Sequence, residues 1–366
     1  MSDTIAFFLP SFEMGGAQRV IVNIANELSD RDYPIELVCR NKEGPLLNDI
    51  RSNIEITNLS IPDIQHVGVL PAVPSLIQYF RKSPPKIMFS AMNHVNIPVL
   101  LAWKLSRSPT KMIISERNHP SSLKSIKNKG LYKIASYVYP WADQITANSK
   151  GVADDLSNRL GIPREQISVL HNPTVTDSLL NKASNSVSHP WFNNDYPPVV
   201  LGVGRLEPQK NFSLLIDSFS VVNNQKDSKL IILGEGSQRE MLEEKIDRLN
   251  LEDHIQLPGF VNNPYKYMSE AAVFTLSSNW EGLPNALIEA LACGCPVVST
   301  DCPSGPSEIL CKGKYGRIVP KNDKGELSNA ILETLDESPN ENMLRQRAQD
   351  FSVESISTQF VNKFII

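Results

Sequence analysis

A chain of 366 residues is more than one ordinary core encloses, and at about 150 residues per domain it predicts two domains. With 41% apolar and 21% charged residues and 26 prolines spread along the chain, the composition excludes a disordered or fibrous protein and predicts a folded, soluble one. The net charge of −4 conceals an asymmetry: residues 1–150 hold 17 Lys and Arg against 12 Asp and Glu, and the remainder 19 against 28, so the two parts carry +5 and −9.

The first apolar run, Thr4 to Leu9, ends at Pro10. Gly15 and Gly16 follow, and Val20, Ile21, Ile24 and Leu28 then recur at helical spacing, which predicts a strand, a glycine loop and a helix. The opening Met-Ser-Asp-Thr has no basic start, so no secretory signal is expected. Strand-like runs recur at 35–39, 87–90, 111–115, 144–147 and 167–170, separated by helical or loop segments, a pattern that implies parallel pairing with helices on both faces. The longest apolar stretch, Ile97 to Trp103, is far short of the ~20 residues a helix needs to cross a bilayer. Between Leu101 and Ala135 lie Lys104, Arg107, Lys111, Arg117, Lys124, Lys127, Lys129 and Lys133, opposed only by Glu116 and interleaved with Trp103, Leu123, Ile126, Leu131 and Tyr132. An anionic lipid surface attracts such a mixture at roughly 1 kcal/mol per charge near the surface. A solvated helix face beside core residues accounts for the same pattern equally well.

Over 181–198 the periodicity is lost and Asn, Ser and Pro accumulate, which reads as a linker. The predicted division is a first domain over 1–180, the linker, a second domain over 199–350 and a terminal helix over 351–366. The second domain repeats the grammar of the first, with strands at 199–203, 229–233, 273–276 and 297–300, a glycine loop at Gly234-Glu235-Gly236, and a helix from Asn285 to Ala292. Two doubly wound sheets of this kind bind ligands outside the carboxyl ends of their strands, in a cleft between the lobes. Five cysteines, Cys39, Cys293, Cys295, Cys302 and Cys311, point to a reducing compartment, with the cytoplasm as default. The last four lack Cys-x2-Cys spacing and are expected as buried small apolar side chains rather than zinc ligands. The string Asp30-Arg31-Asp32 falls between the first helix and second strand, on the end of the sheet away from the ligand, and is not expected to hold a metal.

Two constellations carry chemistry. In Gly202-Val-Gly204-Arg205-Leu-Glu207-Pro208-Gln-Lys210-Asn211, a strand ending in glycine lets the backbone approach a ligand, and Arg205 and Lys210 supply two cations before a helix N-terminus, a setting for a diphosphate. The loop lacks the Gly-Lys-Ser/Thr ending of a Walker loop and the Gly-x-Gly-x-x-Gly of a dinucleotide site. In Glu281-Gly-Leu-Pro284-Asn285-Ala-Leu-Ile-Glu289, loop amides meet negative oxygens while carboxylates accept from sugar or ribose hydroxyls, with Glu289 expected about two turns below Glu281. Glu289 interrupts the apolar run Ala286 to Ala292, and an acid on a half-buried face needs a hydrogen-bonding partner.

Taken in order, Gly15-Gly16-Ala17-Gln18-Arg19, Asn148-Ser149, His171-Asn172-Pro173, Gly204-Arg205 with Lys210, Gly234-Glu235-Gly236, Pro258-Gly259-Phe260 and Glu281 to Glu289 followed by Ala290, Gly294, Pro296 and Val297 resemble glycosyltransferase family 4 over nearly the whole chain. The wording from Asp301 to Glu308 is similar to members that build bacterial O-antigen, lipopolysaccharide or capsule on polyprenyl diphosphate carriers. The resemblance implies an α/β protein of GT-B fold, two Rossmann-like domains facing across a cleft, with the terminal helix returning to the first. It implies a retaining hexosyltransferase that moves a hexose or N-acetylhexosamine from a nucleotide sugar, UDP-linked before GDP-linked, to a lipid-linked saccharide. Cofactors are none, no metal is required, and nucleic acid is not a partner. The enzyme would work peripherally at the cytoplasmic membrane face, on an anionic surface.

Carried over by position, the resemblance gives catalytic roles to Arg205, Lys210 and Glu281. Arg205 and Lys210 would hold the diphosphate, Glu289 the ribose, Glu281 a donor-sugar hydroxyl, and the amides of Gly282, Leu283, Pro284 and Asn285 the sugar and β-phosphate region. Gly259, Phe260 and Val261 would meet the base, and Gly15, Gly16 and Gly204 would let backbone approach the donor. Where many members place a histidine after the fifth strand this chain reads Ser115-Glu116-Arg117-Asn118-His119, so Glu116, Arg117, Asn118 and His119 are the acceptor-side candidates. Ser304-Gly305-Pro306 replaces the paired glycines that many members carry. A GT-B epimerase or phosphorylase, or a non-catalytic nucleotide-sugar-binding component of an assembly complex, are the alternatives.

Overall fold

The computed structural model describes residues 3–13, 15–61, 69–119, 126–193 and 196–366, the side chains of 126–129 excepted. The chain forms two compact units, Met1–Pro173 with Val353–Ile366, and Thr174–Ser352.

The first unit holds a seven-stranded sheet: β1 (Ile5–Leu9), β2 (Ile35–Cys39), β3 (Glu55–Asn58), β4 (Ile87–Ala91), β5 (Lys111–Glu116), β6 (Gln144–Ala147) and β7 (Ile167–Val169). Their order is β3-β2-β1-β4-β5-β6-β7, every pair parallel. Alternation along each strand sends side chains to opposite faces. Ala6, Phe8, Met88 and Ile114 therefore enter one apolar cluster, while Ile5, Phe7, Phe89 and Ile113 enter the other. The apolar stretch 97–103 lies in the helix Asn93–Ser106, whose Ile97, Val99 and Leu100 are core residues. No helix among the described residues is long and apolar enough to cross a membrane.

The C-terminal segment belongs to this unit. Ile356, Phe360 and Phe364 complete the second cluster, and Phe360 lies 5.8 Å from Phe7 and 5.7 Å from Phe89, ring to ring. Lys111 Nζ donates to the Phe364 carbonyl at 2.8 Å. The expected return of the terminal helix to the first domain is thus what the fold shows.

The second unit holds β8 (Val199–Val203), β9 (Lys229–Leu233), β10 (Ile255–Gly259), β11 (Val273–Leu276), β12 (Val297–Thr300) and β13 (Arg317–Val319) in the order β10-β9-β8-β11-β12-β13, again all parallel. The chain enters and leaves it side by side, with Thr174 N–H and Val175 N–H both donating to the Phe351 carbonyl at 2.9 and 3.1 Å.

The chain divides between Pro173 and Thr174, not over 181–198. That polar stretch conceals Trp191 and Phe192, which pack into the second unit's core, with Phe192 5.7 Å from Tyr267. Strands β3, β10 and β13 carry no apolar run in the sequence because they are sheet edges, half exposed on their outer sides. Cys293, Cys295 and Cys302 are buried as expected, and Cys39 is buried too, whereas Cys311, expected buried, is exposed, lying in a turn with φ of +48° after the short helix Pro306–Ile309.

Candidate active site

The tips of β8, β9 and β10 are laced together through their backbones. Gly204 N–H donates to the Leu233 carbonyl at 3.0 Å, Leu206 N–H to Glu235 at 2.9 Å and Gly234 N–H to Gly259 at 2.9 Å. Glycine is required for this approach: a Cβ on Gly234 (φ +142°) would stand 1.9 Å from the Gly204 carbonyl oxygen. Glu207 closes the same loops, accepting from Ser237 N–H at 3.0 Å and Ser237 Oγ at 2.9 Å, bonds that hold its carboxyl below the usual range.

The Lys210 stem lies against Gly204, where a Cβ would stand 3.0 Å from Cε. Its ammonium meets Glu281 Oε1 at 2.6 Å, with 15% of the lysine and 7% of the glutamate side chain exposed. The Glu281 carboxylate also accepts from Ser278 Oγ at 2.7 Å and Gln209 Nε2 at 3.3 Å. Ser277 Oγ donates to the Lys210 carbonyl at 2.8 Å, and Asn279 donates to the carbonyls of Gln209 and Pro208 at 2.8 and 2.7 Å. These bonds fasten the loop after β11 to the loop after β8, the neighbouring strands at which the sheet order reverses. Gln209, Ser277, Ser278 and Asn279 were not singled out by the sequence reading. For Ser277, Ser278 and Asn279 the signal is a run of short polar side chains between a buried strand and Glu281, whose donors and acceptors need partners there, whereas Gln209 carries no such signal.

Arg205 is exposed, its Nη2 reaching Gln209 Oε1 at 3.4 Å. Two cations, a glycine-lined backbone and a hydrogen-bonded carboxylate therefore stand at the carboxyl ends of β8 and β11. That set accommodates an anion with attached hydroxyls.

The helix Asn285–Cys293 begins four residues after Glu281, so Glu289 sits about one turn into it, half buried, rather than two turns below a glutamate on the same helix. Leu283 and Pro284 are buried, and Gly282 and Asn285 are half buried. Ser304 Oγ donates to the Gly282 carbonyl at 2.8 Å, and Gly305 (φ +95°) leaves no room for a Cβ, which would stand 2.4 Å from Pro284 Cδ. Gly259 (φ +88°) ends β10, Phe260 is 66% exposed, and Val261 is half buried against the unit's core.

In the first unit Gly15 caps the helix Gly16–Asp30 with an extended backbone, beyond the tip of β1. The four acceptor-side candidates separate. Glu116 ends β5 fully buried and accepts from Arg117 N–H at 3.1 Å, Asn118 N–H at 3.4 Å and the Tyr139 hydroxyl at 3.2 Å. Burial outweighs these bonds and pushes its carboxyl up to about 7. Arg117 is buried and donates from Nη1 to Asn172 Oδ1 at 2.7 Å, its guanidinium lowered to about 10 by burial. Asn118 is exposed. His119 meets Asp155 Oδ2 at 3.1 Å, and burial lowers its imidazole against the opposing pull of that carboxylate.

Glu116 makes stability depend on pH. With the folded carboxyl raised to about 7 the native state keeps a proton that the unfolded chain releases above the ordinary carboxyl range, so stability falls as pH rises through that window. Gln lacks this ionisation. Melting curves of Glu116→Gln and parent are expected to coincide closely at about pH 5 and to separate at about pH 8 with the variant the more stable. A difference that is constant or reversed contradicts the assigned shift.

The basic segment also resolves in part. Arg117 is buried and Lys111 serves the terminal helix, whereas Lys104, Arg107 and Lys133 are exposed beside the exposed Leu105, Ile134 and Tyr137. Leu123 and Lys124, and the side chains of Ile126, Lys127 and Lys129, lie outside the described residues.

The family model described as Glycosyltransferase Family 4 matches residues 14–178, and that described as Glycosyl transferases group 1 matches 187–351. The chain is 30% identical to the N-acetylgalactosamine-N,N'-diacetylbacillosaminyl-diphospho-undecaprenol 4-alpha-N-acetylgalactosaminyltransferase of Campylobacter jejuni, over 91% of this chain and 90% of that one. It is 25% identical to the amylovoran biosynthesis glycosyltransferase AmsD of Erwinia amylovora, over 88% and 86%. Among solved structures, Anabaena Alr3699/HepE in complex with UDP and glucose superimposes with a TM-score of 0.77 at 21% identity, over 99% of both chains, a likeness of fold.

Proposed function

The chain belongs to glycosyltransferase family 4 and is a glycosyltransferase of GT-B fold, and from that premise we propose that it is a retaining enzyme moving a hexose or N-acetylhexosamine from a UDP-sugar to a polyprenyl-diphosphate-linked saccharide. The observation that carries the reading is the Lys210–Glu281 contact at 2.6 Å, with the exposed Arg205 on the same loop. Breaking a bond to diphosphate concentrates negative charge on the leaving oxygens, and cations already fixed in place stabilise it without reorganisation. Glu281, held by three donors, keeps lone pairs for a sugar hydroxyl. With arginine and lysine supplying the positive charge, we assign no metal to the reaction. The named acceptor of the Campylobacter relative, a saccharide on diphospho-undecaprenol, supports the acceptor class. The amylovoran relative supports a place in surface-polysaccharide biosynthesis. The exposed Lys104, Arg107 and Lys133 support peripheral work on an anionic membrane.

One experiment tests these points together. Purified protein is given a panel of UDP- and GDP-sugars with a polyprenyl-diphosphate-linked saccharide in phosphatidylglycerol vesicles. The expected result is a saccharide lengthened by one residue from a UDP-sugar, with the donor's anomeric configuration kept, and protein sedimenting with the vesicles. No lengthened product from any donor sinks the transfer reading, an inverted anomer sinks retention, and protein left in the supernatant sinks the membrane role.

A further inference from the structure

Unpartnered polar atoms gather at the carboxyl ends of the central strands of the first unit. Asn93 Nδ2 lies beyond β4, Ser115 Oγ on β5, Arg117 Nε and Nη2 just beyond β5, and Asn148 Oδ1 beyond β6, all buried without a hydrogen-bond partner among the described residues. Buried polar groups are ordinarily satisfied, and a cluster of exceptions calls for a ligand or water. Arg117 is the most demanding member: Glu116 opposes its charge and Asn172 accepts from Nη1, yet two buried N–H groups of a charged guanidinium left without acceptors are more costly than an unmet amide. Only 7% of Arg117 is exposed, and its one side-chain bond among the described residues uses Nη1, leaving Nε and Nη2. Those two N–H groups form the side-on edge of the guanidinium, the edge that grips two oxygens of one phosphate or carboxylate with parallel bonds. Asn148 Nδ2 donates to the Arg117 carbonyl at 3.1 Å and Asn148 N–H to the Glu116 carbonyl at 3.2 Å, so the tips of β5 and β6 are one rigid construction around it.

We propose that Arg117 is the anion-binding residue of a phosphoryl subsite in the first unit, its side-on edge receiving two non-bridging oxygens of a substrate diphosphate. The subsite rests on the glycosyltransferase reading, in which donor and acceptor both carry that group. The neighbouring donor Asn93 Nδ2 and acceptor Asn148 Oδ1 suit the remaining oxygens and a sugar hydroxyl. Lysine at this position keeps the charge and loses the fork.

The test is the Nε–H resonance of Arg117 in the full-length protein, identified by its absence from the spectrum of Arg117→Lys. It is expected to move on titration with UDP or with inorganic pyrophosphate, and Arg117→Lys is expected to lose about tenfold in affinity for the probe that moves it. Movement with UDP marks the donor diphosphate, and movement with pyrophosphate alone marks the acceptor's. A resonance that stays in place under both probes overturns the subsite. So does a shift in parent protein with no loss of affinity in the variant. Should Arg117→Lys fail to fold, Arg117→Gln takes its place in both measurements. These are binding readouts, so a failure to detect glycosyl transfer would sink the reading of the reaction while leaving this result to stand on its own.

Discussion

Replacing Lys210 by methionine is expected to lower the turnover of glycosyl transfer about a hundredfold to a thousandfold, the range seen when one preorganised donor to a developing anion is lost. The substitution keeps most of the stem that lies against Gly204 and removes the ammonium that meets Glu281 at 2.6 Å. It also leaves a carboxylate with 7% of its side chain exposed and, among the described residues, only Ser278 and Gln209 as side-chain donors. Breaking a buried pair from one side costs about 3–5 kcal/mol, so the variant should melt lower as well. The two losses separate in the double variant Lys210→Met with Glu281→Gln. Neutralising both partners removes the unpaired charge and is expected to restore most of the melting temperature, while turnover stays at the level of the single variant or below. Turnover that recovers along with stability would show that Lys210 acts only through the fold.

The second large effect is expected from Gly234→Ala. The new Cβ stands 1.9 Å from the Gly204 carbonyl oxygen, on backbone with φ of +142°, so the loops after β8 and β9 must separate. Strained backbone and overpacking together are expected to cost about 2–4 kcal/mol. UDP affinity should fall by more than the loss of stability alone explains, because the same separation displaces Arg205 and Lys210. Gly161→Ala is the control: its φ of +69° disfavours a side chain, yet nothing lies within 4 Å of the added Cβ, so about 1 kcal/mol is expected. Equal destabilisation by the two substitutions, with UDP affinity unchanged in both, would show that the close approach of the loops has no part in nucleotide binding.

The strands readable from the chain are those buried on both faces. β1, β4 and β8 appear as continuous apolar runs because helices cover each side of a parallel sheet. Of the edge strands, β7 still shows a short run at 167–170, whereas β3, β10 and β13 give none, and β10 even contains Pro258. The stretch 181–198 misleads for the opposite reason: its Asn and Ser dominate the count, while Trp191 supplies the packing. In the candidate site, glycines and charges adjacent in sequence, such as Gly204, Arg205 and Lys210, stand out because their spacing is local. Glu281 stands out because it directly precedes the glycine and proline turn that leads into a helix, eight residues before Glu289.

The chain by itself determined the parallel α/β class, two sheets, the family, and which loops carry cations and carboxylates, all of which depend on local periodicity and on residues near one another in sequence. Tertiary structure alone decided that Lys210 meets Glu281 across 71 positions, that Arg117 is buried while Lys104 is exposed, and that Trp191 packs into the core of the second unit. The physical reason is common to all three. Partner choice and burial depend on packing between segments distant in the chain, and neither composition nor spacing records which segments meet.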